Sequence, residues 1–149
     1  MVSKVDHNAI KFNQVSIAAV SLAAFIGDWP PLAGALGLIL AVGTALPSWG
    51  LFRILYQRVV LPLGVLRSRV LDDDPAPHRF AQGVGAAVLL LGYAALLGGA
   101  GAVGWTLVVL VTVLALVNVV FDFCAGCFVY YQLRRVGLIR QPTGGAGGR

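Results

Sequence analysis

From Phe80 to Phe121 the chain carries no charged residue. The run is 42 residues long. As a single helix it would reach about 63 Å, twice the roughly 30 Å hydrocarbon core of a bilayer. A soluble domain could not bury so much unbroken apolar surface, and a bilayer could not accommodate it as one rod. The run must fold back on itself, and Gly98-Gly99-Ala100-Gly101 marks the bend. Two membrane spans are therefore expected, at about 80–97 and 103–123.

The first half repeats the pattern less cleanly. Its spans are expected at about 9–27 and 31–46, separated by the turn Asp28-Trp29-Pro30-Pro31. There the prolines stop one helix and start the next, and Trp29 suits the membrane interface. Asp6-His7-Asn8 offers side-chain oxygens to cap the first span. Asn13, Gln14, Ser16 and Ser21 should face other helices, because lipid cannot satisfy them. Gly34 and Gly37, one turn apart, permit close approach of a neighbour. Residues 51–60, with Arg53, Gln57 and Arg58, read as a short helix lying at the interface. Arg67 to Pro77 reads as a polar loop, Met1 to Lys4 as loose, and 142–149 as a disordered Gly-rich tail. The polar start up to Gln14 argues against a cleavable leader. Only 11% of residues are charged and 58% are hydrophobic, against about 25% charged in a soluble protein. The fold class is all-α: one membrane domain over 1–141, with four transmembrane helices.

Charge fixes the orientation. All 11 Lys and Arg residues lie before the uncharged part of the first expected span, which starts at Phe12, between the second and third spans, or after the fourth. The two opposite turns have none. The positive-inside rule then puts both termini and the middle loop in the cytoplasm. The same distribution explains the net charge of +5 without any nucleic acid. A faint internal repeat accompanies it. The first and third spans open with His7…Phe12-Asn13-Gln14 and His78…Phe80-Ala81-Gln82, and the second and fourth are followed by Phe52…Tyr56-Gln57 and Phe128…Tyr131-Gln132.

The only cysteines, Cys124 and Cys127, stand as C-x-x-C where the fourth span meets the cytoplasm. Three readings are open. Both can be small buried hydrophobes. They can be a dithiol, one thiolate attacking a partner's sulfur and the other resolving the mixed disulfide. Or they can join His7 and His78, expected on the same membrane face, in a metal site of two cysteines and two histidines. If the fourth span runs unbroken through the motif, the thiols meet the negative end of a helix. If it breaks near Asp122, a new helix starts at the motif, with Asp122 as its cap, and favours the Cys124 thiolate. Asp122 needs a partner so close to lipid, and Arg79, at the base of the third span, is the candidate.

Val5-Asp6-His7-Asn8…Phe12-Asn13-Gln14, Asp73-Asp74-Pro75-Ala76-Pro77-His78-Arg79-Phe80-Ala81-Gln82 and Phe123-Cys124-Ala125-Gly126-Cys127 together resemble an uncharacterised family of small four-helix bacterial inner-membrane proteins. That family is catalogued as a domain of unknown function. Its members look to be encoded beside thioredoxin-like and rhodanese-type sulfurtransferase proteins, which implies thiol or sulfur handling with such a partner at the cytoplasmic face. It establishes no catalytic residues and implies no cofactor. A looser similarity, of span count and membrane-edge cysteines, links the chain to four-helix quinone-reactive membrane proteins. The competing class is a membrane scaffold or assembly subunit. Its Gly/Ala-rich faces and Tyr130-Tyr131 would serve helix association, including a homo-oligomer.

Overall fold

The computed structural model describes residues 3–64, 67 and 69–139, so the Gly-rich tail lies outside the described residues. Helices dominate: α1 (His7–Ile26), α2 (Pro30–Ala45), α3 (Leu51–Leu55), α4 (Ala76–Leu97), α5 (Gly101–Phe121) and α6 (Ala125–Arg135). A 3-10 turn at Pro47–Trp49 leads into α3, and a π turn at Tyr56–Val60 prolongs it. Together α3 and that turn cover the stretch expected to lie at the interface. Among the described residues, three helices, α1, α4 and α5, are long and apolar enough to cross a membrane. The chain is a helical membrane protein by that measure. α2 is as apolar but has 16 residues, about 24 Å of rise, one turn short of the hydrocarbon thickness.

α1 packs against α2 and α5, and α4 against α2 and α5, so the four long helices close a ring. The contacts repeat as the sequence does. α1 meets α5 as α4 meets α2, and α3 lies on α1 as α6 lies on α4. Ring contacts follow nearly in step, Phe12 on Tyr56 at 5.7 Å and Phe80 on Tyr130 at 5.5 Å between centroids, the second using the residue before the Tyr131 that the sequence pattern pairs with Tyr56. Small residues set the spacing of α2 on α4. A methyl group on Gly34 would lie 2.7 Å from the Tyr93 ring, and one on Gly37 would lie 3.0 Å from Leu90 Cγ.

The interior is filled by Ile17, Leu36, Leu40, Leu89, Val108 and small alanines. Two polar groups inside it satisfy each other. The Thr112 hydroxyl donates to Ser21 Oγ (2.7 Å), and Ser21 donates to the Ile17 carbonyl (2.6 Å). Ser21 is fully buried, facing the other helices. Large side chains such as Leu38, Leu91, Leu97 and Val120 are exposed around the outside. That inverts the soluble pattern and suits contact with lipid.

One feature departs from an all-helical reading. β1 (Ser3–Asp6) pairs antiparallel with β2 (Val70–Asp73), Lys4 opposite Asp72 and Asp6 opposite Val70. Ser3 and Lys4 were expected to be loose and Val70–Asp73 to lie in a polar loop, whereas Asp6 caps α1 as expected. Asp6 knots the ribbon to α1: its Oδ1 accepts from the amides of Asn8 (3.0 Å), Ala9 (3.4 Å) and Arg69 (3.2 Å). The His7 amide donates to the Arg69 carbonyl (3.0 Å), and the Asn8 side-chain amide to the Arg67 carbonyl. The start of α1 and the entry to α4 are thereby held together at one end of the bundle.

Candidate functional site

That end also receives the cysteines. α5 stops at Phe121 because Asp122 turns left-handed (φ 52°, ψ 25°), a region that Asp and Asn enter more readily than other residues with a Cβ. Lys11, one turn into α1 from His7, holds the Asp122 carboxylate at 2.8 Å. The Lys11 hydrogen bond first, and its charge second, keep the Asp122 carboxyl below the usual carboxylate range. Arg79 is not that partner. Its guanidinium donates instead to the Thr44 carbonyl in the last turn of α2 (2.9 Å), where a cation suits the negative end of a helix.

Beyond the break a new helix begins, and its cap is Cys124 rather than Asp122. Cys124 is extended (φ −92°, ψ 104°) and its Sγ accepts the Cys127 amide N–H at 3.2 Å. The two Cα atoms stand 5.1 Å apart and the sulfurs are joined as a disulfide. Within an unbroken helix the same spacing would leave Cβ atoms about 5–6 Å apart, too wide for a bridge. The extended cap residue removes that obstacle by swinging Cβ of Cys124 over the first turn of α6. Gly126 lets this turn sit directly on α4, where a methyl group would lie 2.5 Å from Ala81 Cβ. Cys124 is half-buried and Cys127 is buried.

His78, in the first turn of α4, brings Nδ1 to 3.6 Å from Cys127 Sγ. The ligand atoms of His78, Cys124 and Cys127 all lie within 4.8 Å of one another. His7 stands farther off, its ring centroid 6.5 Å from that of His78 and nearly perpendicular to it. Of the residues singled out from sequence, the structure gathers Cys124, Cys127 and His78 in mutual reach, sets His7 and Asp122 around them, and turns Arg79 away to α2.

A cleft of about 460 Å³ opens beside the cysteines, walled by His7, Lys11, Arg69, Asp74, His78, Asp122 and Tyr131. A second, smaller cavity of about 90 Å³ runs inward among Gln14, Leu40, Gln82, Val88, Val111 and Ala115, and also touches Cys124. Asn118 lines both. The carboxamides of Gln14, Gln82 and Asn118 are the polar groups of an otherwise apolar crevice. Lys11 and Asn118 were not read from sequence as site residues. The signal was there in helical spacing, since Lys11 follows His7, and Asp122 follows Asn118, by four residues on one face.

Against known proteins, the chain matches the model of a family described as a domain of unknown function, over residues 5–135. No curated protein and no solved structure matches it.

Proposed function

The chain belongs to that family, DUF4395, and we propose that its Cys124–Cys127 pair is a membrane-edge dithiol/disulfide that exchanges electrons or sulfane sulfur with a thioredoxin-like or sulfurtransferase partner. The observation that carries this reading is the capping geometry. Cys124 Sγ accepts an amide hydrogen bond at the start of α6, the arrangement that favours a thiolate and a good leaving group. Cys124 is half-buried and faces a cleft, while Cys127 is buried beside His78.

The roles follow from access. A thiolate of the partner attacks Cys124 Sγ, a mixed disulfide forms, and Cys127 leaves as a thiolate that takes a proton from His78 or water. The partner's second thiolate then attacks its own sulfur in the mixed disulfide and releases Cys124. Two electrons pass to this chain, and the partner's dithiol becomes a disulfide. In the reverse direction Cys124 attacks and Cys127 resolves. For sulfane sulfur, the Cys124 thiolate attacks the outer sulfur of a partner persulfide, becomes the persulfide itself, and leaves the partner as a thiolate.

The setting belongs to the same proposal. α1, α2, α4 and α5 are four spans of a bacterial inner membrane, α2 reaching across with Trp29 and Leu46 at its ends. All the Lys and Arg residues, the ribbon and the cysteines lie on the cytoplasmic side, in agreement with the positive-inside rule. A reporter fused after Arg140 is then active only if it is one that folds in the cytoplasm.

The decisive experiment uses Cys127→Ser, which leaves Cys124 unresolved. Expressed in its host, it should accumulate a mixed disulfide with a thioredoxin-like or sulfurtransferase protein. The adduct should vanish on reduction and in the Cys124→Ser/Cys127→Ser chain. Absence of any adduct, together with full complementation of a deletion strain by both single variants, would return the cysteines to packing.

A further inference from the structure

The reduced site has a second use that thiol exchange does not require. We propose that Cys124, Cys127 and His78 bind one thiophilic divalent cation of the zinc class through Sγ, Sγ and Nδ1, with a fourth position open to the cleft.

The argument is geometric. In a tetrahedral site with metal–sulfur bonds of about 2.3 Å and metal–nitrogen bonds of about 2.0–2.1 Å, sulfur and nitrogen are separated by roughly 3.6 Å. His78 Nδ1 and Cys127 Sγ stand 3.6 Å apart. Two thiolates on the same ion lie roughly 3.8 Å apart. Once the disulfide is reduced, rotation of the Cys124 side chain alone, with Cys127 kept at its distance from His78, opens the sulfurs towards that separation, the Cα atoms standing 5.1 Å apart. The C-x-x-C spacing is common in zinc sites. The Cys127 N–H aimed at Cys124 Sγ supplies the kind of outer hydrogen bond that steadies a ligand. The three ligands come from two helix starts fixed by packing of Gly126 on Ala81, so the site is largely formed before an ion arrives.

His7 lies outside this set as the rings stand. A ligating imidazole places its centroid about 3.2 Å from the ion, so two on one ion stand at most about 6.4 Å apart, and nearer 5 Å at a tetrahedral angle. The His7 and His78 rings are 6.5 Å apart. The fourth position therefore faces the cleft of about 460 Å³, as in sites that keep an exchangeable ligand. Water or an incoming thiolate fits there. Binding releases the two thiol protons. Ion and disulfide exclude each other: a partner disulfide that oxidises the pair leaves as two thiolates, and the ion goes free.

The test uses the full chain in detergent, reduced with a phosphine, freed of metal, and titrated with cobalt(II) and then zinc(II). One cobalt per chain should give thiolate-to-metal charge transfer and the intense visible bands of tetrahedral coordination, displaced by one zinc. Oxidised protein should bind none. His78→Ala should weaken zinc by more than about 100-fold, since losing a ligand exceeds the 10–100-fold typical of losing its outer partner. His7→Ala should change affinity by less than about tenfold on the same scale. Zinc should slow alkylation of both cysteines in the unsubstituted chain and not in His78→Ala, a readout independent of refolding. No stoichiometric metal in the reduced chain, or unchanged affinity and spectrum in His78→Ala, would overturn the site. Mixed-disulfide trapping by Cys127→Ser in metal-free medium is scored separately. Trapping without metal binding sinks only this inference, and metal binding without trapping sinks only thiol exchange.

Discussion

Adding one methyl group at Gly126 tests whether the cysteine helix is held in register by its contact with α4. The Cβ of Gly126→Ala would lie 2.5 Å from Ala81 Cβ and 2.7 Å from Ala81 Cα. Carbon atoms in contact prefer about 3.5–4.0 Å, so the first turn of α6 must retreat by roughly 1 Å. Overpacking of this kind costs about 1–3 kcal/mol. Alanine's helical advantage over glycine returns at most about 1 kcal/mol. A net loss of about 1–2 kcal/mol is expected. The retreat has a chemical signature as well, because His78 lies one turn before Ala81 on the same helix. Lifting α6 lengthens the 3.6 Å contact between His78 and Cys127 and slows the step in which Cys127 attacks or leaves. The assay is equilibration in a thiol/disulfide buffer with quenching by alkylation, run beside a denaturation series in mixed micelles. Ala81→Gly on the Gly126→Ala background removes the nearer clash and should recover part of the loss, a coupling of at least about 0.5 kcal/mol. If Gly126→Ala matches the unsubstituted chain in both stability and resolution rate, α6 is not seated as described.

Other outcomes follow from the geometry. Thr112→Val removes the buried hydrogen bond to Ser21 and should cost about 0.6 kcal/mol, at most about 1.7, as for other hydrogen bonds between membrane helices; a larger loss would indicate a role beyond that bond. Asp122→Asn should leave folding nearly untouched, since Asn also tolerates the left-handed turn, whereas Asp122→Val should shift the start of α6 and lower reactivity of the cysteine pair; equal behaviour of the two variants would contradict the backbone break. Burial first and the Asp6 carboxylate second hold the Tyr56 phenol above the usual tyrosine range. A raised acid favours its protonated form when folded, so this contribution is complete below about pH 10 and fades as pH climbs through the higher folded value. The ultraviolet difference between the chain and Tyr56→Phe should therefore show ionisation displaced above the ordinary range, and an undisplaced curve would refute the buried placement.

How much of this was legible beforehand varies by element. The hairpin of α4 and α5 could be read from length alone, because a 42-residue uncharged run has no other solution in a bilayer. The clustering of His7, His78 and the cysteines at one end followed from span order and charge. The ribbon did not, since Ser3–Asp6 and Val70–Asp73 are short, lack alternation, and find each other only across the whole first hairpin. The end of α5 was legible as one of two alternatives, an unbroken helix or a break near Asp122, and the structure has the break. Phe121 to Tyr131 reads as apolar apart from Asp122, and its break rests on the left-handed backbone of that one residue, which no hydrophobic pattern announces. Arg79 was misassigned for the complementary reason: beside His78 in sequence, it points about 100° away around the helix, toward α2.

The ribbon also permits an order of events during synthesis. Its two strands are complete once Asp73 has been made, before α4, α5 or either cysteine exists. Chains emerge from the ribosome N-terminus first. The wall carrying His7, Lys11 and Arg69 can thus close over α1 and α2 while the sulfur-bearing segment is still some 50 residues of translation away. Cys124 and Cys127 are therefore made after both strands, α4 and α5, and join a site whose opposite wall the ribbon can already have drawn together.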